Sequence, residues 1–118
     1  MSQLSLSLLV LESRQVEAAR DFYALLGLTF VSEKHGNGAS HFAATFGSMV
    51  LEIYPHAEGT PITPLRIGFR VPELDRAIER LRHCGIKIVR EPQDSPWGRR
   101  AVVEDPDGNR VELVATSM

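Results

Sequence analysis

Apolar residues recur at helical spacing in two stretches of the chain and at alternate positions in most of what surrounds them. Val16, Ala19, Tyr23 and Leu26, widened by Phe22 and Leu25, form one stripe, and Leu74, Ala77, Ile78 and Leu81 form the other. Gly27 and Gly85 follow the two stretches, where the left-handed conformation open to glycine can close a helix. An apolar strand is predicted after each helix, over residues 28–32 and 86–90, and another before each, over residues 8–11 and 66–69.

The two stretches are copies of one plan. Residues 16–33 superpose on residues 74–91 at a constant offset of 58, and Ala19/Ala77, Gly27/Gly85, Val31/Val89 and Glu33/Glu91 coincide, which marks an internal repeat. Two more residues of offset align Leu51, Glu52 and Ile53 with Val111, Glu112 and Leu113. Residues 40–46 and 100–104 read as further strands, each followed by a turn. Asp105, Pro106, Asp107, Gly108 and Asn109 are a strong turn signal, because Pro fixes one torsion and Gly accepts positive φ; Phe46, Gly47 and Ser48 are a weaker version. Residues 55–64, with three prolines and Gly59, are the natural linker. One domain over residues 1–118 is expected, with module one at about 4–54, the linker at about 55–64 and module two at about 65–116, each module ordered βαβββ.

Alternation also assigns faces. Leu9 and Leu11, and Ile67, Phe69 and Val71, are uninterrupted apolar rows that should meet the helices, leaving Leu8, Val10 and Glu12, and Arg66, Gly68 and Arg70, on the other side. In the strand at residues 49–54, Glu52 and Tyr54 share the face opposite Leu51 and Ile53.

Composition narrows the chemistry. With 43% apolar residues in 118, the chain can bury a core without metals or disulfides. A net charge of −2 and a pI of about 6.1 give no overall basic field for nucleic acid or anionic lipid. Cys84 is the single cysteine, so no internal disulfide or Cys-rich zinc site forms. The apolar stretch at residues 1–10 lacks a leading Lys or Arg and does not read as a signal peptide, and nothing approaches the roughly 20 apolar residues of a membrane span. A cytoplasmic protein is expected. Phosphate-binding glycine loops, a serine elbow and redox cysteine pairs are absent from the sequence, and the acidic residues at 104–107 lack the spacing of a calcium loop.

The Phe22-Tyr23 pair before Leu26-Gly27-Leu28, the stretch at residues 71–85, the run Pro96-Trp97-Gly98-Arg99-Arg100 and the turn at 105–109 before Val111-Glu112-Leu113 together resemble the vicinal oxygen chelate family of glyoxalase I, bleomycin-resistance and fosfomycin-resistance proteins. The resemblance touches nearly the whole chain. It implies an α+β fold in which two βαβββ modules form an incomplete mixed β-barrel around a cleft, with the helices outside. In metal-dependent members, His, Glu, His and Glu from the opening and closing strands hold a divalent ion. Carried over, the glutamates fall on Glu52 and Glu112, while Leu8 and Arg66 stand where the histidines would be. Leucine offers no donor atom and arginine is a fixed cation, so the usual metal site is expected to be disabled. By this placement Arg66 would replace the ion as counter-charge to the two glutamates, since unpaired buried charges are costly.

Other residues keep two readings. His41, predicted on a face with Ala43 and Thr45, is either a replacement ligand or proton carrier, or a histidine hydrogen-bonded within the sheet. Tyr54 and Trp97 suit ligand contact, although Trp97 could equally pin its own loop. Arg99 and Arg100 could meet an anion or simply flank a strand, His35 and His56 belong to a hairpin loop and the linker, and His83 sits near a helix C-terminus. Cys84 lacks the setting of a nucleophile.

The expected function is binding of a small organic ligand in the cleft without the usual metal, with Tyr54, Trp97, Arg66 and His41 as contacts. The first alternative is a glyoxalase-like lyase or isomerase that uses Glu52, Glu112 and His41 with Zn, Ni, Mn or Fe. The second is a non-catalytic dimeric interaction protein. Extradiol dioxygenase chemistry is disfavoured by the short chain. A homodimer is expected.

Overall fold

Helical spacing and alternation become the elements they imply. β1 (Leu8–Ser13), α1 (Val16–Leu25), β2 (Val31–Glu33), β3 (His41–Phe46) and β4 (Met49–Pro55) form the first module. β5 (Arg66–Val71), α2 (Leu74–His83), β6 (Ile88–Gln93), β7 (Arg100–Glu104) and β8 (Arg110–Ala115) repeat the order. The structure, a computed structural model, describes residues 3–116. The terminal residues on which the reading of the N-terminus partly rests lie outside them. The chain divides into two units at Ile62 and Thr63, inside the proline-rich segment.

Each unit is a four-stranded mixed sheet with one helix, so the fold is α+β and neither sheet closes on itself. The strand orders are β1-β4-β3-β2 and β5-β8-β7-β6. In both, the first strand runs parallel to the last, and the remaining pairs are antiparallel. The repeat seen in sequence is therefore a repeat of topology.

One face of each sheet is the core. Leu11, Leu51, Ile53 and Ala44 are buried with Ala19, Phe22 and Tyr23 of α1, which packs on β1, β3 and β4. The rings of Phe22 and Tyr23 meet edge-on at 4.7 Å, a favoured aromatic geometry. In the second unit Leu74, Ala77, Ile78 and Leu81 of α2 pack on β6, β7 and β8, with Ala101, Val103, Val111 and Leu113 buried beneath. The row on β5 is less engaged than alternation implies: Val71 is buried, but Ile67 and Phe69 are half-buried.

Two strands start later than their apolar residues suggest. The stretch from Leu28 becomes a ladder only at Val31, and the stretch from Ile86 only at Ile88. For the second, the reason is a helix cap. Gly85, at φ 79°, turns the chain so that its amide donates to the Arg82 carbonyl and the Ile86 amide to the Leu81 carbonyl. This is the Schellman arrangement, and it assigns Ile86 to the helix end rather than to a strand.

The turn after β7 is held by its own side chains. Asp105, 4% exposed, accepts hydrogen bonds from the amides of Asp107 and Asn109 and from Asn109 Nδ2, and the Asn109 side-chain oxygen accepts from the Leu65 amide. These bonds fix the entry to β8, and with it the position of Glu112.

Candidate functional site

In the first unit, β3 turns His41, Ala43 and Thr45 away from α1, and the register Ala43↔Glu52 puts them on one face with Glu52 and Tyr54. His41 is 2% exposed and lies stacked on the Tyr54 ring at 4.1 Å between centroids, with an angle of 10° between planes. Its Nε2 lies 3.2 Å from Glu33 Oε1 and 3.6 Å from Glu52 Oε2. His35 reaches in from the loop before β3, its ring 5.2 Å from that of His41 and its Nε2 3.7 Å from the same Glu33 oxygen. His41 Nδ1 is buried with no hydrogen-bond partner among the described residues. Burial first, and then the Glu52 and Glu33 carboxylates, push the Tyr54 phenol above its usual range.

His41 is thus bonded within the sheet, with the Glu33 and Glu52 carboxylates and the His35 ring around it. Glu33 is not among the residues that the sequence nominates. Its alternation with His35 is visible in sequence, but only the β2–β3 pairing, in which Glu33 is opposite His41, brings the three together. His35, read as a plain loop residue, joins them.

In the second unit the face opposite α2 is rich in arginine. Registers Arg66↔Arg110, Gly68↔Glu112 and Arg70↔Val114 between β5 and β8, continued by Val102↔Glu112 and Arg100↔Val114 on β7 and Arg90↔Val102 on β6, place five arginines there. Glu112 is ion-paired with Arg100. Arg66, Arg70, Arg90 and Arg110 are exposed and form no ion pair among the described residues. A recess of about 110 Å3 on this face is lined by Arg90, Gln93, Asp94, Ser95, Arg100 and Val102. It is bordered by the turn at residues 95–98, closed by hydrogen bonds between Ser95 and Gly98. Trp97 sits in that turn and is 77% exposed, so it does not pin its loop.

Arg99 points elsewhere, to Asp75 and Asp94, and their carboxylates hold its guanidinium further above its ordinary value. A larger open groove of about 540 Å3 follows the outward face of α2 past Asp75, Arg76, Glu79, Arg80 and His83. It is a solvated charged surface on which Asp75, Arg76 and Glu79 are already in ion pairs. His56 bonds Glu12 at 2.5 Å and Thr60, tying the linker to β1. Cys84 is exposed.

At the positions that the resemblance assigns to metal ligands, the residues present do not make a donor set that fits a metal. Leu8, half-exposed on the face that carries Glu52, has no donor atom. Arg66 shares a face with Glu112 and adds positive charge, and the Glu112 carboxylate is engaged by Arg100.

Comparison with known proteins agrees with this architecture. The model of the Glyoxalase/Bleomycin resistance protein/Dioxygenase superfamily matches residues 6–113. An uncharacterized protein of Mycolicibacterium smegmatis is 31% identical over 110 residues, covering 92% of this chain and 91% of that protein. Among solved structures, TnmS3, an antibiotic binding protein from Streptomyces sp. CB03234, superposes with a TM-score of 0.79 at 26% identity over 99% of both chains. The oxidase ChaP-H2 gives a TM-score of 0.79 at 21% identity over 98% of this chain and 96% of its own. This chain belongs to the Glyoxalase/Bleomycin resistance protein/Dioxygenase superfamily.

Proposed function

We propose that the protein binds a small organic molecule carrying an anionic group, a carboxylate, phosphate or sulfonate, and does so without a metal at the family's ligand positions. The observation that carries this reading is the second unit's arginine face, where Arg66, Arg70, Arg90 and Arg110 form no ion pair among the described residues and Arg90, with Arg100, Gln93, Asp94 and Ser95, lines a recess. Among the other described cations, Arg20, Arg76, Arg82, Lys87 and Arg99 have carboxylate partners, while Lys34 and Arg80 stand singly and not as a cluster on one sheet face. Planar guanidinium forks match planar anions in a bidentate fashion, and an exposed aromatic beside them supplies rigid apolar contact. Arg66 and Trp97 are the proposed contacts. Similarity to an antibiotic binding protein favours binding over turnover.

Trp97 is the chain's single tryptophan, so its emission reports on this site. Titration with 8-anilinonaphthalene-1-sulfonate should bind more tightly than N-phenyl-1-naphthylamine, the same rings without the sulfonate, and Arg90→Gln with Arg66→Gln should erase the difference. Equal affinity for the two dyes in the parent protein would sink the reading.

The lyase alternative, with a metal on Glu52, Glu112 and His41, has one observation in its favour, the 3.6 Å approach of His41 to Glu52. It requires metal-dependent turnover that Glu112→Ala abolishes. The non-catalytic interaction protein would show neither dye selectivity nor turnover. A cytoplasmic location belongs to the proposed reading, since an exposed unpaired thiol suits a reducing compartment.

A further inference from the structure

We propose that Glu33, His35 and His41 form a binding site for a divalent transition metal, best suited to Zn2+, that lies wholly within the first unit and is separate from the positions the family uses. One carboxylate oxygen and two imidazole nitrogens gather here within 4.8 Å of one another. Zinc takes His nitrogen and carboxylate oxygen at about 2.0–2.2 Å, so neighbouring donors of a tetrahedral shell stand roughly 3.3 Å apart. The His41–Glu33 separation of 3.2 Å already has that spacing, and the His35–Glu33 separation of 3.7 Å is slightly long. The long contact belongs to the side chain that can move, because His35 is 74% exposed while His41 is clamped by burial and by Tyr54.

Charge argues the same way. The carboxylates of Glu33 and Glu52 both approach His41 Nε2, and the only ion-pair partners of either among the described residues are histidines. Two negative groups around imidazole nitrogen accommodate a dication without leaving net charge, and Glu52 is near enough to complete the shell directly or through water. The mixture of imidazole and carboxylate suits Zn2+, Ni2+ or Co2+ rather than the all-oxygen shells of Ca2+ and Mg2+.

The structure also bounds the strength. A histidine bound through Nε2 carries its hydrogen on Nδ1, and His41 Nδ1 has no acceptor among the described residues. Such outer partners are typically worth about 10–100-fold in metal affinity, so the site should hold metal more weakly than one whose histidines are supported in this way.

The inference does not rest on the anionic-ligand reading, and its test leaves that reading untouched. Protein stripped with EDTA is titrated with Co2+, whose visible spectrum reports coordination, and then with Zn2+ in competition by calorimetry. One equivalent is expected, with affinity reduced at least about tenfold in His35→Ala and in Glu33→Gln. Glu112→Gln and Cys84→Ser should leave it unchanged. His35 is exposed, so its removal does not threaten the fold. Absence of binding at submillimolar metal, or binding that survives both His35→Ala and Glu33→Gln, overturns the site. Loss with Glu112→Gln would return the metal to the family position, and loss with Cys84→Ser would mark surface binding; either result also overturns it.

Discussion

Gly108 closes the turn between β7 and β8 with φ 89°, a conformation that β-branched residues avoid, and the neighbouring Asp105 and Asn109 bonds leave the backbone little room to relax. Gly108→Val should therefore cost about 1–3 kcal/mol, read as a lower denaturant midpoint at unchanged slope. A midpoint equal to that of the parent would mean that the turn adapts at no cost. Proline and glycine in the sequence were enough to place this turn, because the signal is local. His41 is the opposite case: its neighbours Glu33, Glu52 and Tyr54 come from two other strands.

For the elements, α2 carries the clearest test. Leu81 is fully buried between α2 and the second sheet, and Leu81→Ala should cost about 2–5 kcal/mol by chemical denaturation; a loss well under 1 kcal/mol would contradict its place in the core. The outer face of α2 titrates. Arg99 holds the Asp75 carboxyl, and Arg82 the Glu91 carboxyl, below their ordinary values, chiefly by hydrogen bonding. A carboxyl whose folded pKa is lowered contributes stability above its unfolded pKa and loses it as pH falls through the folded value. Below about pH 4, the ordinary carboxylate range, this contribution should therefore fade. Arg82→Gln with Arg99→Gln should lower Tm slightly at pH 7, and the gap from the parent should narrow as the pH falls below the ordinary carboxylate range; a gap that widens on acidification would refute the assignment. These pairs are solvent-exposed, so the effect is small. Both helices were legible from apolar spacing, whereas the late start of β6 was not, since it depends on the cap bonds of Ile86.

For the whole molecule we expect a homodimer. Leu4, Leu6, Leu8 and Val10 alternate along the first extended segment and are all exposed, Leu4 at 90%, a row of apolar side chains suited to cover by a second copy. Sedimentation at micromolar concentration should give twice the 13.1 kDa of one chain, and a single species at the monomer mass would count against it. The sequence by itself determined the βαβββ repeat and the apolar stripes of the two helices, because each of these is a matter of periodicity, while the α+β assembly came from the family resemblance. Only the tertiary structure decided how charge is distributed. A chain with net charge −2 places five arginines on one sheet face and two glutamates beside a buried histidine on another. Strand pairing brings together residues up to 44 positions apart, such as Arg66 and Arg110, and no local pattern encodes which register the ladders adopt.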